Sequence, residues 1–204
     1  MDKISVYNES IPIVLASDNC YAFPLFVTLA SLFSTANQNT VYDIHLLLHK
    51  DFSKENFQRL YELSEIYPNH KIYTHIMGNE YDNIEIHISH VRSATFFRLE
   101  LSQILNDVDK CIYLDVDTVV CQDLSELFRL NIDDKYIAGV RAAAYYYPKY
   151  RAGKKCSTLG ISDISFYVNA GVLVMNLKKM RENKLAEVFK DLVKFNVDIL
   201  DMEF

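Results

Sequence analysis

Short apolar runs alternate with amphipathic segments along much of this chain, and that alternation restricts the fold more than any other feature. Ile11 to Ala16 (IPIVLA) and Lys110 to Leu114 (KCIYL) have the length and apolar content of buried strands, and Tyr42 to Leu48 and Lys71 to Met77 read as two further strands. Between them, Leu25, Leu29, Leu32 and Phe33 recur at helical spacing after Pro24, a residue suited to a first helical turn. Ser53 is placed to cap a second helix, whose Phe57, Leu60, Leu63 and Ile66 form one apolar stripe ended by Pro68. Ser93 to Ile104 reads as a third helix. Strands alternating with helices in this way favour right-handed βαβ units and a mainly parallel sheet flanked by helices, an α/β fold that binds ligands beyond the carboxyl ends of its strands. Ile137 to Val140 and Gly171 to Met175 are further strand-length segments, and Leu185, Val188, Phe189 and Leu192 mark a late helix. No repeat or linker divides the sequence, so residues 1–204 are expected to form one domain.

Charge and composition exclude several functions. With 27 acidic against 21 basic residues, the net charge of −6 provides no excess positive potential to hold a polyanion, which argues against nucleic acid. Met1 to Ser10 is polar, and nowhere do ~18 apolar residues run together, so neither a signal peptide nor a membrane span is expected. Cys20, Cys111, Cys121 and Cys156 form no Cys-x-x-Cys pair and read as core or incidental thiols of a cytoplasmic protein, with peripheral membrane association left open.

The chemistry concentrates at YLDVDTVV, Tyr113 to Val120. If the strand continues through it, Asp115 and Asp117 lie on one face, because strand side chains alternate. Two carboxylates held together at the end of an apolar run repel one another and lose water, and a bound divalent cation relieves both costs. Oxygen ligands suit Mg²⁺ or Mn²⁺; a solvated turn is the plainer alternative. A calcium loop would need glycine where Val120 sits, and no phosphate loop of the Gly-x-x-x-x-Gly-Lys type occurs.

Four other places in the chain hold candidates. Asp18, in the turn after the first strand, is placed either for a nucleotide contact or as a helix cap, with Tyr21 close enough to stack on a base. Arg98, among Phe96, Phe97 and Leu99, needs an anionic or hydroxyl-rich partner, which is either a ligand or an acidic neighbour. Asn169, beside Ala170 and Gly171, is either a turn residue or an amide that hydrogen-bonds sugar hydroxyls. Tyr145, Tyr146 and Tyr147 with Lys149 and Arg151 form an acceptor lip or a plain polar loop.

Taken in order, IPIVLASDNCYA, HISHVRSATFFRLEL, YLDVDTVV and YVNAGVLVMNLKKMRE resemble the successive motifs of glycosyltransferase family 8. The resemblance implies a Rossmann-like glycosyltransferase-A fold with a mixed, mainly parallel sheet. It implies a UDP-hexose donor, Mn²⁺ (or Mg²⁺) as cofactor, and transfer with retention to a saccharide or other hydroxyl acceptor, such as a lipopolysaccharide-type glycan. By position it implies that Ala16, Asp18 and Tyr21 contact the uridine, that Val116 lies in the donor site, and that Arg98 and Asn169 meet the donor sugar and are the candidates for catalysis. Asp115 and Asp117 are the implied metal ligands. Cys20 stands where many members have asparagine, and Ala142-Ala143 where an acidic residue often reads the sugar. The family continues with an Asp-Gln-Asp motif and a later metal-binding histidine, so the domain is expected to lack its C-terminal part. Two rivals remain: a haloacid-dehalogenase-type phosphohydrolase, whose Asp-x-Asp-x-(Thr/Val) loop also fits Asp115 to Val119 but normally follows the first strand, and a non-catalytic UDP-sugar-binding remnant.

Overall fold

A computed structural model describes residues 10–82, 93–142 and 167–195. The acceptor lip, Cys156, Ala143 and the HISHVR stretch fall outside them. Six strands form one sheet: β1 (Ile11–Ser17), β2 (Tyr42–His49), β3 (Lys71–Met77), β4 (Lys110–Leu114), β5 (Ile137–Arg141) and β6 (Val168–Asn176). Their order is β3-β2-β1-β4-β6-β5. The first four run parallel, and β6 enters antiparallel to both β4 and β5. Helices α1 (Ala22–Thr35), α2 (Lys54–Ile66), α3 (Leu101–Ile104), α4 (Ser125–Phe128), α5 (Leu177–Glu182) and α6 (Leu185–Phe195) accompany the sheet, and a 3-10 helix covers Ser93–Glu100.

β1, β2 and β4 lie in the sheet interior because each has a hydrophobic layer on both sides, whereas β3, at the edge, is mostly exposed. Ile13, Leu15, Ile112 and Leu114 pack on one face with Leu25, Leu29, Leu32 and Phe33 of α1. Val14, Ala16, Cys111 and Tyr113 alternate to the other face, against Phe96, Phe97 and Leu101. Fully burying each such side chain contributes about 2 kcal/mol. Ser53 caps α2 as expected, its hydroxyl accepting the Asn56 N–H at 3.2 Å, a contact worth about 1 kcal/mol.

Three expectations need correction. The helix over Ser93 to Ile104 is mostly 3-10, turning α-helical only at Leu101. The α2 stripe stops short of Ile66, which is 68% exposed. In α6 the buried residues are Ala186 and Val193, while Val188 and Leu192 lie half in solvent, so the inward face is turned from the one that leucine and valine spacing suggests.

The start of the 3-10 helix is anchored by a histidine. His49, at the end of β2, bonds Asp51 through Nδ1 at 2.5 Å and Asp82 through Nε2 at 2.9 Å, and its ring lies parallel to that of Phe97. Burial disfavours its charge, but the hydrogen bonds and charges of the two carboxylates outweigh burial and raise its pKa above the usual 6.5. A raised folded-state value gives stability that is complete below the unfolded pKa and is lost as pH rises through the folded one. Burial lowers the pKa of His45, His70 and His75 and gives them the opposite dependence, so a difference measurement is required. His49→Gln should cost up to about 1 kcal/mol near pH 6 and progressively less as pH rises above the usual histidine value of 6.5, measured as the gap between urea unfolding curves of the two proteins. A gap independent of pH would mean that the ring acts by packing alone.

Candidate functional site

β1 and β4 are parallel neighbours, so the segments leaving their carboxyl ends emerge side by side. This is also where the strand order reverses, since β2 and β3 lie to one side of β1 and β4 to the other, the usual place for a ligand in an open α/β sheet. A cleft of about 240 Å³ opens here. Ala16, Ser17, Asp18 and Tyr21 contribute from β1 and its loop, Ala94, Thr95 and Arg98 from the 3-10 helix, and Tyr113, Asp115, Val116 and Asp117 from β4 and its loop.

Of the eight positions selected from sequence, seven therefore meet at one cleft: Ala16, Asp18, Tyr21, Arg98, Asp115, Val116 and Asp117. Asn169 is not among the lining residues. It stands beside them at the start of β6, where its Oδ1 accepts the Gly171 N–H at 2.8 Å. Gly171 connects the two groups, because a Cβ there would lie 3.0 Å from Asp115 Oδ2 and 3.1 Å from Asn169 Oδ1.

The two aspartates do not share a strand face. β4 ends at Leu114, and the chain turns, with the Asp115 N–H donating to Gly171 O at 2.8 Å and Thr118 Oγ1 donating to Asp115 O at 2.8 Å. The turn nevertheless leaves both side chains on the cleft. Asp115 is half-buried and Asp117 exposed.

Arg98 finds its anion within the protein. Its Nη2 donates to Asp115 Oδ1 at 3.0 Å, Nη1 to Ala170 O at 2.8 Å and Nε to Thr95 O at 2.9 Å. The guanidinium lies over the Tyr113 ring, 4.5 Å from its centroid. Burial pushes the Asp115 carboxyl above its usual range and Asp117 adds to this, while Arg98 and a hydrogen bond from Tyr113 oppose it. Burial, the largest effect, also pushes the Tyr113 phenol far up, which keeps it a hydrogen-bond donor. Asp18 is buried, and its Oδ1 accepts the Tyr21 N–H at 3.0 Å, so the carboxylate shapes the turn into α1 while still facing the cleft.

Tyr113, Thr95, Ala94 and Ser17 line the cleft but were not selected from sequence. Tyr113 alone carried a usable signal: it precedes Asp115 by two residues, and in a strand that spacing places both on one side.

The fold is that of a glycosyltransferase-A protein. The galactosyltransferase LgtC, in complex with donor and acceptor sugar analogues, superposes with a TM-score of 0.73 at 27% identity, covering 93% of this chain and 69% of its own. The bifunctional glycosyltransferase WbbM gives 0.75 at 26% identity, over 98% of this chain and 38% of its own. A provisionally named glycosyltransferase of Haemophilus influenzae is 29% identical over 179 residues, 87% of this chain and 52% of that protein. The model of glycosyl transferase family 8 matches residues 12–203, and the chain belongs to that family. This decides against the phosphohydrolase reading of Asp115 and Asp117. The chain spans about half the length of the curated relatives it matches.

Because three of its donors and its ring contact are committed internally, Arg98→Ala should destabilise the fold by about 2 kcal/mol, whereas Asp115→Asn, which relieves burial and repulsion as it breaks the pair, should cost below about 1 kcal/mol. Urea midpoints of the two variants check this, and equal losses would assign the stabilisation to the ion pair alone.

Proposed function

We propose that this chain binds a UDP-hexose in the cleft between the ends of β1 and β4 and transfers the hexose to a hydroxyl of a saccharide or similar acceptor. The convergence of Asp18, Tyr21, Arg98, Asp115 and Asp117 on one cleft at the reversal point of the sheet carries the proposal. Asp18 and Tyr21, together on one side, would bind the base and ribose. The acidic pair would meet the diphosphate, which like charge forbids unless a cation lies between them.

The residues present fit a hard divalent ion such as Mn²⁺ or Mg²⁺. Asp115 and Asp117 supply carboxylate oxygens, and among the described residues no group of three or more His, Cys, Asp or Glu gathers, so nucleotide phosphates and water would complete the shell. An ion held there would neutralise charge developing on the departing UDP. Arg98 would hold Asp115 in place and offer its remaining N–H groups to the donor. With Asn169 Oδ1 taken by Gly171, the amide N–H groups of Asn169 are the part left for a sugar hydroxyl.

The galactosyltransferase named among the similar structures supports a hexose donor. Family membership supports transfer with retention to a glycan acceptor. Among the described residues no helix is long and apolar enough to cross a membrane.

Asp115→Asn and Asp117→Asn should each weaken UDP binding in the presence of Mn²⁺ by at least about tenfold, while uridine, which has no phosphates, binds as before. Calorimetry with both ligands makes the comparison, and unchanged UDP affinity in both variants would contradict the proposal. Release of hexose from a UDP-hexose by the unaltered chain would separate an enzyme from a protein that only binds.

A further inference from the structure

The turn carrying Asp115 and Asp117 is also held from below, by a residue outside every motif. Thr28, on the inner face of α1, is 0% exposed. Its Oγ1 stands 2.6 Å from the carbonyl oxygen of Val116 and 2.7 Å from that of Thr118. A hydroxyl has one hydrogen to donate, so both carbonyls converge on a single buried donor. One turn further along α1, Ser31 Oγ accepts the Val120 N–H at 3.0 Å.

A threonine within a helix ordinarily bonds back to a carbonyl of its own preceding turn. Thr35 of the same helix does so, donating to Ser31 O at 2.8 Å. Thr28 forgoes that local bond for two carbonyls almost ninety residues away, residues 116 and 118. All described peptides are trans, so a carbonyl drawn toward α1 directs the amide N–H across the same peptide away from the helix. The peptides on either side of residues 117–118 are thus fixed in rotation, and with them the direction in which the Asp117 side chain leaves the backbone. Asp117 is exposed and lies in a turn outside any strand or helix, so beside the local bond from Thr118 Oγ1 to Asp115 O its orientation depends on these two carbonyls.

We propose that Thr28 is a positioning residue for Asp117, presetting the turn so that this carboxylate faces the cleft before any ligand arrives. The proposal rests on the reading of Asp117 as a cation ligand. Thr28 touches neither cation nor nucleotide. Its effect passes through the Val116 and Thr118 carbonyls, so it should alter cation affinity and leave recognition of the base untouched.

The test compares Thr28→Val, which removes the hydroxyl at nearly constant shape, with Thr28→Ser, which keeps it, and with Asp117→Asn. Mn²⁺ affinity in the presence of UDP is read by electron paramagnetic resonance, and uridine affinity by calorimetry. Thr28→Val should lose roughly tenfold in Mn²⁺ affinity, as is typical when a partner behind a metal ligand is removed. Thr28→Ser should retain it, and uridine should bind all three variants as it binds the unaltered protein. Should Thr28→Val fail to fold, Thr28→Ala, which removes the hydroxyl without placing a methyl against the carbonyls, takes its place under the same expectation. Unchanged Mn²⁺ affinity without the hydroxyl, beside a loss in Asp117→Asn, would overturn the proposal. So would a parallel loss of uridine binding, which would show Thr28 supporting the whole cleft. If Asp117→Asn itself binds Mn²⁺ normally, the reading of Asp117 as a ligand fails and the proposal fails with it.

Discussion

The guanidinium of Arg98 joins three elements at one point. It reaches the end of β4 through Asp115, the start of β6 through Ala170 O, and its own helix through Thr95 O. The helix needs this support. A 3-10 run of eight residues is longer than its hydrogen-bond geometry sustains unaided. Side-chain contacts hold it, with Phe97 parallel to His49 and Phe96 stacked on Tyr81 at 5.5 Å. Three donors of the Arg98 cation are committed, and Asp115 is left with one oxygen on Arg98 and the other beside Gly171. A cation arriving between Asp115 and Asp117 therefore meets an acidic pair that is already half compensated. That lowers the cost of keeping the pair unliganded without removing its attraction for a divalent ion.

The reversed strand is the second constraint. Because β6 runs antiparallel to β4, its N-terminal end lies at the carboxyl edge of the parallel strands, which brings Asn169 and Gly171 beside Asp115. Had β6 been parallel, the same residues would lie at the opposite end of the sheet. Gly171 then serves through its missing side chain, since a Cβ would press on both neighbouring oxygens.

The parallel core was legible because strands buried on both faces leave continuous apolar runs, and β1 and β4 begin and end within a residue of where those runs do; β3 keeps its expected bounds too, although as an edge strand it is mostly exposed. The helical type of Ser93–Glu100 was not, since apolar spacing at three to four residues does not separate 3-10 from α geometry. Nor was the end of β4 at Leu114: Asp-Val-Asp alternates as a strand would, and the turn is set by the Thr118 hydroxyl on Asp115 O and by Thr28 on the Val116 and Thr118 carbonyls. Of the site, the charged members stood out because charge beside apolar sequence is costly without a partner. For Arg98 the sequence left the partner open between a ligand and an acidic neighbour, and the structure supplies Asp115. Thr28 was invisible, as one hydroxyl inside an apolar helix signals nothing until the turn it holds is in place.

The central claim is that nucleotide and cation meet at the carboxyl ends of β1 and β4. Paramagnetic broadening of backbone amide resonances by Mn²⁺, recorded with UDP present, tests it most directly. The amides of Asp18, Tyr21, Arg98 and Asp117 should lose intensity first. Those of His45 and His75 should persist, although their ring nitrogens, 3.1 Å apart on β2 and β3, are the obvious competing site for a transition metal. Broadening centred on the two histidines, with the cleft amides unaffected, would contradict it.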